Sequence, residues 1–270
     1  MVVPMAPPQL TRPDARDSHI RSVPTGPPIT AFATDLDRTL LRPGGRPLPP
    51  GRDALQRARA LGMRTLLVSG RSYADLRAIA DSFGELDAIV AENGAVVEAP
   101  LGAAPQFVGR RVGGTVRRRL AGRPALHPEF GEVVASVPRA ERRRVLGAII
   151  GLRVQVVANV DRLMILPEGV SKRQGTRRAL QGLGLGNGAY AAIGDAENDV
   201  DLLEGAELAG AVANARPVAR RVADYVCRGR FDAGVLEFVS GPLTDRVRRS
   251  RRGISGVRRA RAPRPRRTAC

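Results

Sequence analysis

Short, mostly apolar runs that each stop at a cluster of polar residues, with helix-patterned stretches between them, restrict this chain to a sheet of buried parallel strands. The runs are residues 29–34 (ITAFAT) before Asp35-Leu36-Asp37, 64–68 (RTLLV) before Ser69-Gly70, 88–91 (AIVA) before Glu92-Asn93-Gly94, and 190–193 (YAAI) before Gly194-Asp195. They are too short for buried helices and lack the alternation of a half-exposed strand, so they fit strands covered on both faces. Between them lie helical patterns at 48–61, opened by Pro49 and Pro50 and closed by Gly62, and at 72–83, 171–182 and 199–203. Pro at a helix start and Gly just past its end are ordinary helix punctuation. Two more short strands are expected at 208–212 and 225–226. Aromatic residues make up 3% of the chain and Trp is absent, so the interior is built from Ala, Val, Leu and Ile, which suits a parallel sheet under helices. The expected fold class is α/β, a Rossmann-like three-layer core with right-handed crossovers.

The rhythm breaks between 95 and 166. Strand-like runs (AVVEA, GEVVASV, RVQVVANV, DRLMILP) surround Arg-rich helical patterns at 116–121 and 139–150. This predicts a smaller α+β cap over 95–166, inserted into a core formed by 29–94 and 167–240. Residues 1–28 lack periodicity and are expected to be a disordered leader. Residues 241–270 are expected to be a disordered Arg-rich tail, and both termini dispensable for folding.

A net charge of +18 raises the possibility of nucleic-acid binding, but residues 244–270 hold eleven Arg against one Asp, so more than half of the excess sits at one end. Such a tail binds polyanions without specificity, and a non-catalytic polyanion-binding protein is therefore one alternative reading. The basic stretches Arg117–Arg119 and Arg142–Arg144 read as solvated helix faces, and His127 as structural. Two cysteines, one of them at the terminus, exclude a disulfide framework and a cysteine metal site. No apolar stretch reaches membrane-spanning or signal-peptide length. A cytoplasmic location without a membrane partner is expected.

The chemistry follows from where the polar clusters fall, because ligands bind parallel sheets at the carboxyl ends of their strands. Asp35 and Asp37, two apart, would point into one small space. One carboxylate can then attack phosphorus while the other gives and takes a proton. Thr39 and Ser69 offer hydroxyls to phosphoryl oxygens. Of 44 Lys and Arg residues only Lys172 is lysine, and a compact ammonium suits a phosphate clamp. Carboxylates facing a dianionic phosphate need a divalent cation between them, and an all-oxygen ligand set with Asp195 across the crevice suits Mg²⁺.

The order Asp35-Leu36-Asp37-Arg38-Thr39-Leu40, Val68-Ser69-Gly70-Arg71, Lys172, Gly194-Asp195-Ala196-Glu197-Asn198-Asp199 resembles the four motifs of the haloacid dehalogenase superfamily. The Asn93-Gly94 transition, the insertion after the third strand and Ala213-Asn214-Ala215 are similar to the type IIB cap subgroup, which includes Cof-like, sucrose-phosphatase-like and phosphoglycolate-phosphatase-like enzymes and phosphomannomutases. The resemblance implies a Mg²⁺-dependent phosphatase acting on a small phosphate monoester, a sugar phosphate, phosphoglycolate or similar, through an aspartyl-phosphate. Its partner would be a small phosphorylated metabolite, and a phosphomannomutase-like isomerase is the other enzymatic alternative. By resemblance Asp35 is the nucleophile and a metal ligand, Asp37 the general acid/base whose backbone carbonyl also binds metal, and Asp195 and Asp199 the remaining metal site. Thr39, Ser69, Gly70 and Lys172 form the phosphate clamp, with Asn198 on the phosphate or the metal shell. Arg71 and Asn93 face the substrate and cap. The chain departs from the pattern at Arg38, where the family commonly has Gly, and that side chain is expected either to reach the substrate or to point to solvent.

Overall fold

The computed structural model describes residues 26–110 and 113–251. In the first half β1 (Ile29–Asp35), α1 (Pro49–Ala60), β2 (Arg64–Val68), α2 (Tyr73–Ala80) and β3 (Ala88–Ala91) follow one another. Prolines occupy the first positions of α1, where no intrahelical amide is needed, and Gly51, Ala54, Leu55 and Ala58 form its buried stripe. The Ser72 side chain caps α2 by accepting from the Asp75 amide. The chain then turns back at Glu92–Gly94 into β4 (Val96–Glu98) and β5 (Gln106–Phe107), which pair antiparallel with β3 and with each other.

Next come α3 (Gly114–Ala121), β6 (Glu129–Phe130), β7 (Ala135–Pro138), α4 (Arg142–Ile149), β8 (Val154–Asn159) and β9 (Arg162–Pro167). The chain finishes with α5 (Lys172–Gly182), β10 (Ala189–Gly194), α6 (Val200–Glu204), β11 (Leu208–Ala211), α7 (Pro217–Val222), β12 (Tyr225–Val226) and α8 (Phe231–Phe238). The main sheet runs β12-β11-β10-β1-β2-β3-β4-β5 and the second runs β6-β7-β9-β8. Thr34 pairs with Ile193, Asp35 with Val68 and Val68 with Val90, so the carboxyl ends of β10, β1, β2 and β3 align along one edge. α5 lies tight against this edge. A Cβ on its Gly175 would come within 2.5 Å of the Gly94 Cα, so only glycine permits the approach.

The second sheet has its own core, in which Val116 and Leu120 of α3 and Val145 of α4 pack on Val137, Leu163 and Ile165. This is the inserted α+β unit, but it starts later than position 95. β4 is buried throughout and extends the main sheet, so the change of rhythm after Gly94 marks an antiparallel edge hairpin and the unit's first helix opens only at Gly114. The main sheet is therefore mixed rather than wholly parallel.

The expected tail boundary also fails. Residues 239–251 continue α8 as a wide π turn around Pro242 followed by a helix. Leu243 and Val247 are buried, and buried Arg246 pairs with Glu207 at 3.1 Å. The Arg-rich composition hid this apolar i, i+4 pair. Residues 1–25 and 252–270, which carry most of the expected leader and tail, lie outside the described residues. Deleting 252–270 should leave stability unchanged, whereas deleting 242–270 should cost ~3–6 kcal/mol, since two apolar side chains leave the core. Denaturant unfolding of the two truncations checks this.

Candidate active site

Four elements meet at the carboxyl edge. β1 delivers Asp35, 4% exposed, whose Oδ1 accepts a 2.6 Å hydrogen bond from Lys172 Nζ and whose Oδ2 has no partner among the described residues. Lys172 enters at the first turn of α5, positioned by the Ser171 cap, and donates also to Asp199 Oδ1. The other oxygen of Asp199 accepts from the Asp195 and Ala196 amides, both at 2.9 Å, so this carboxylate shapes its own loop while holding the lysine. Carboxylate oxygens of Asp35, Asp195 and Asp199 lie within 4.8 Å of one another. Thr39 donates to Asp195 Oδ1 at 3.4 Å.

Packing three carboxylates around one ammonium leaves negative charge in excess. Burial first, then the Asp199 and Asp195 charges, push the Asp35 carboxyl well above its ordinary range despite Lys172. Burial and Asp199 push Asp195 from 3.8 up to about 7. Burial works to lower the Lys172 ammonium, but Asp199 and Asp35 outweigh it and hold the group above its ordinary value. A buried, unpartnered carboxylate oxygen beside two further carboxylates is the environment of a hard divalent cation.

Asp37 sits apart from this cluster. After Asp35 the chain leaves the strand, Leu36 goes into the core, and the half-exposed Asp37 is gripped through both oxygens by Arg71, at 2.8 and 2.6 Å. Asp35 is thus buried with the acidic cluster, whereas Asp37 is half-exposed and paired with Arg71. Arg38 has φ +65°, the left-handed region that favours glycine, and Asn214 holds its carbonyl with a 2.7 Å bond. Its side chain is 40% exposed and turns its Nε toward the acidic cluster, 3.4 Å from Asp195 Oδ2.

Ser69 is buried beside Asp35, its Oγ accepting from the Arg71 amide. At Gly70 a Cβ would stand 2.8 Å from Asn159 Nδ2, so glycine lets the second sheet approach the first. Asn93 Oδ1 accepts from Asn198 Nδ2 at 2.9 Å, leaving Asn93 Nδ2 and Asn198 Oδ1 buried without partners among the described residues. Sequence reasoning missed Glu92. Fully buried with φ +52°, it crosses to the inserted unit and accepts from the amides of Glu132, Val133 and Val134 at 2.8–3.1 Å. An acidic residue just past an apolar strand, next to Asn93-Gly94, was the available signal.

Residues 32–103 and 155–239 match the profile of a family described as haloacid dehalogenase-like hydrolase. The chain belongs to this family. The unmatched stretch between the two segments holds α3 to α4, most of the inserted cap. This haloacid dehalogenase-like hydrolase is 31% identical to a phosphoglycolate phosphatase of Metallosphaera sedula over 234 residues, 78% of this chain and 97% of that protein. It is 32% identical to one of Aeropyrum pernix over 228 residues, 80% of this chain and 94% of that one. Among solved structures it resembles a Thermoplasma acidophilum protein with a TM-score of 0.69 at 15% identity, covering 79% of this chain and 97% of that chain. It also resembles a sugar phosphatase of haloacid dehalogenase subclass IIB, with a TM-score of 0.61 at 18% identity over 73% and 93% of the two chains. At these identities the structural likenesses establish the fold. As a member of this family with phosphatase relatives matched nearly end to end, the protein is an enzyme, a phosphoric monoester hydrolase. That sets aside the non-catalytic polyanion-binding reading. Among the described residues no helix is long and apolar enough to cross a membrane.

Proposed function

We propose that this hydrolase is a Mg²⁺-dependent phosphatase that uses Asp35 as its nucleophile and takes a small phosphate monoester, with phosphoglycolate the first candidate. The observation that carries the reading is the buried, unpartnered Oδ2 of Asp35 at the floor of an acidic crevice closed by Lys172. The substrate class rests on the relatives above. Asp35 and Asp195 would hold the cation, with the Asp37 backbone carbonyl as the resemblance implies, and Asp199, whose oxygens meet Lys172 and the Asp195 and Ala196 amides, would complete the acidic site behind them. When bound, Mg²⁺ screens the carboxylates from the phosphate and polarises its oxygens.

The protein's own groups divide the rest. Asp35 forms a bond to phosphorus as the ester P–O bond breaks, and Asp37, aimed by Arg71, passes its proton to the departing alkoxide. Asp37 then takes a proton from water as that water attacks phosphorus and the bond to Asp35 breaks. Lys172 spends two N–H groups on Asp35 and Asp199, which leaves one for a phosphoryl oxygen.

The test is turnover of phosphoglycolate, sugar phosphates and nucleotides by the purified full chain, with Mg²⁺ and with a chelator. Chelation should abolish hydrolysis and Mg²⁺ restore it, with no bisphosphorylated sugar required. Full activity under chelation would overturn the metal assignment, and dependence on a bisphosphate would favour a mutase. The pH dependence is signed. With Asp195 raised from 3.8 to about 7, the metal-free folded protein holds a proton that the unfolded chain releases between those values. Its stability from this group is therefore full below about pH 4 and lost as pH rises through 7. Mg²⁺ must displace that proton, so its affinity should climb from pH 6 to 8 and the melting-temperature gap between metal-loaded and metal-free protein should widen with it.

A further inference from the structure

A cavity of about 430 Å³ opens beside the site, lined at the core end by Asp37, Gly70 and Arg71, and at the cap end by Ser136, Asn159 and Arg162. Space on this scale admits a hexose phosphate as readily as a two-carbon acid, so discrimination among leaving groups has to come from charge. Among the described residues the cations lining the cavity are Arg71 and Arg162, alongside the carboxylates Asp37, Asp75, Glu92 and Glu129. Arg71 is spent on Asp37.

Arg162 faces the site by strand alternation. Leu163 and Ile165 point into the core of the cap, so Arg162 and Met164 point the other way. On β7, Ala135 and Val137 belong to the same core and put Ser136 beside Arg162, whose Nε donates to the Ser136 hydroxyl. The far side of the guanidinium is incompletely matched. Its Nη2 is buried without an aligned acceptor, although the Glu129 carboxylate stands 2.9 Å away. Glu129 is largely exposed, with 73% of its side-chain surface open. An exposed carboxylate resting on a guanidinium whose own side chain is 28% exposed is weakly held. It can be exchanged for another carboxylate at little loss.

We propose that Arg162, with the Ser136 hydroxyl and the Asn159 amide, binds a carboxylate on the substrate's leaving group and displaces Glu129 when it does so. This rests on the phosphatase reading for the opposite end of the cavity. It assigns to the cap a site for substrates carrying phosphate at one end and carboxylate at the other.

The experiment is calorimetric binding to the Mg²⁺-loaded full chain of two non-hydrolysable phosphonates of matched length, 3-phosphonopropionate and propylphosphonate. Wild type should bind the carboxylated probe ~10- to 100-fold more tightly. Arg162→Met should shrink that preference to within ~2-fold and leave propylphosphonate affinity unchanged, which also reports an intact phosphate site. Glu129→Gln, an exposed change that does not endanger folding, should tighten 3-phosphonopropionate alone. The absence of preference in wild type, its persistence in Arg162→Met, or an unchanged affinity in Glu129→Gln would each overturn the assignment. Because binding needs no turnover, a protein that shows the preference yet hydrolyses nothing would instead sink the phosphatase reading.

Discussion

Asp35→Asn is expected to lower kcat by ~10⁴-fold or more, the scale on which loss of a covalent nucleophile registers. The amide matches the carboxylate in shape, so the crevice stays filled and the Lys172 contact on Oδ1 has a neutral replacement. What disappears is the electron pair that Oδ2 directs at phosphorus and one of the three clustered carboxylates whose charge would draw a cation. Stability should move little, and in the opposite direction. The Asp35 carboxyl is pushed up by burial and by Asp199 and Asp195 more than Lys172 lowers it, so in metal-free protein at neutral pH the ionised form opposes folding. The Asn variant should therefore melt no lower than wild type without metal, and it should lose most of the Mg²⁺-induced rise in melting temperature. Single-turnover kinetics and thermal melts with and without Mg²⁺ check both halves, and substantial turnover in the variant would remove Asp35 as nucleophile. A site that is strained when empty and relieved by its ligands is how folds commonly hold chemistry.

The strand ends were legible in the sequence because physics leaves few alternatives there. An apolar run too short for a helix, halted by Asp35, Ser69 or Asp195, can only be a buried strand delivering that side chain to the edge of the sheet. The order of these runs then brings Lys172 to Asp35 and Asp199. What escaped reading depends on partners distant in the chain. Val96–Glu98 is an edge strand because it folds back on β3, which no local pattern announces. Leu243 and Val247 have helical spacing, but their worth comes from the core they reach, and the surrounding arginines mimic a solvated tail. Arg162 alternates visibly with Leu163 and Ile165, yet which side of that strand looks at the site is settled only when the cap sheet is set over Gly70. Arg38 shows the same limit from the backbone side. Its left-handed φ and its reach to Asp195 come from a turn that the usual glycine would make without strain, held here by Asn214 from 176 residues away.

Lys172→Arg keeps the charge and should still cost ~10²-fold or more in kcat. The ammonium is 1% exposed, bonded to Asp35 on one side and Asp199 on the other. Guanidinium is planar and wider, and carries five N–H groups where three fit. Some would be buried without acceptors at ~1–3 kcal/mol each, and the added volume would push on α5, so a lower melting temperature is expected as well. A loss of rate could then come from disturbed packing alone, and Lys172→Met separates the two causes. Met fills the channel of the lysine stem and supplies no charge, and it leaves Asp35 without the one neighbour that lowers its carboxyl against burial, Asp199 and Asp195. In the absence of that ammonium Asp35 stays protonated to higher pH, so the acid limb of the pH–rate profile should move upward in the Met variant. In the Arg variant, where a cation remains, the limb should stay close to its wild-type position. Disturbed packing lowers the height of the profile and has no reason to move its limb. A Met variant with reduced rate and an unmoved limb would make Lys172 a packing residue, and wild-type kinetics in Lys172→Arg would take it out of the site. This chain writes nearly every other cation as arginine, and the crevice between Asp35 and Asp199 is the place where arginine does not fit.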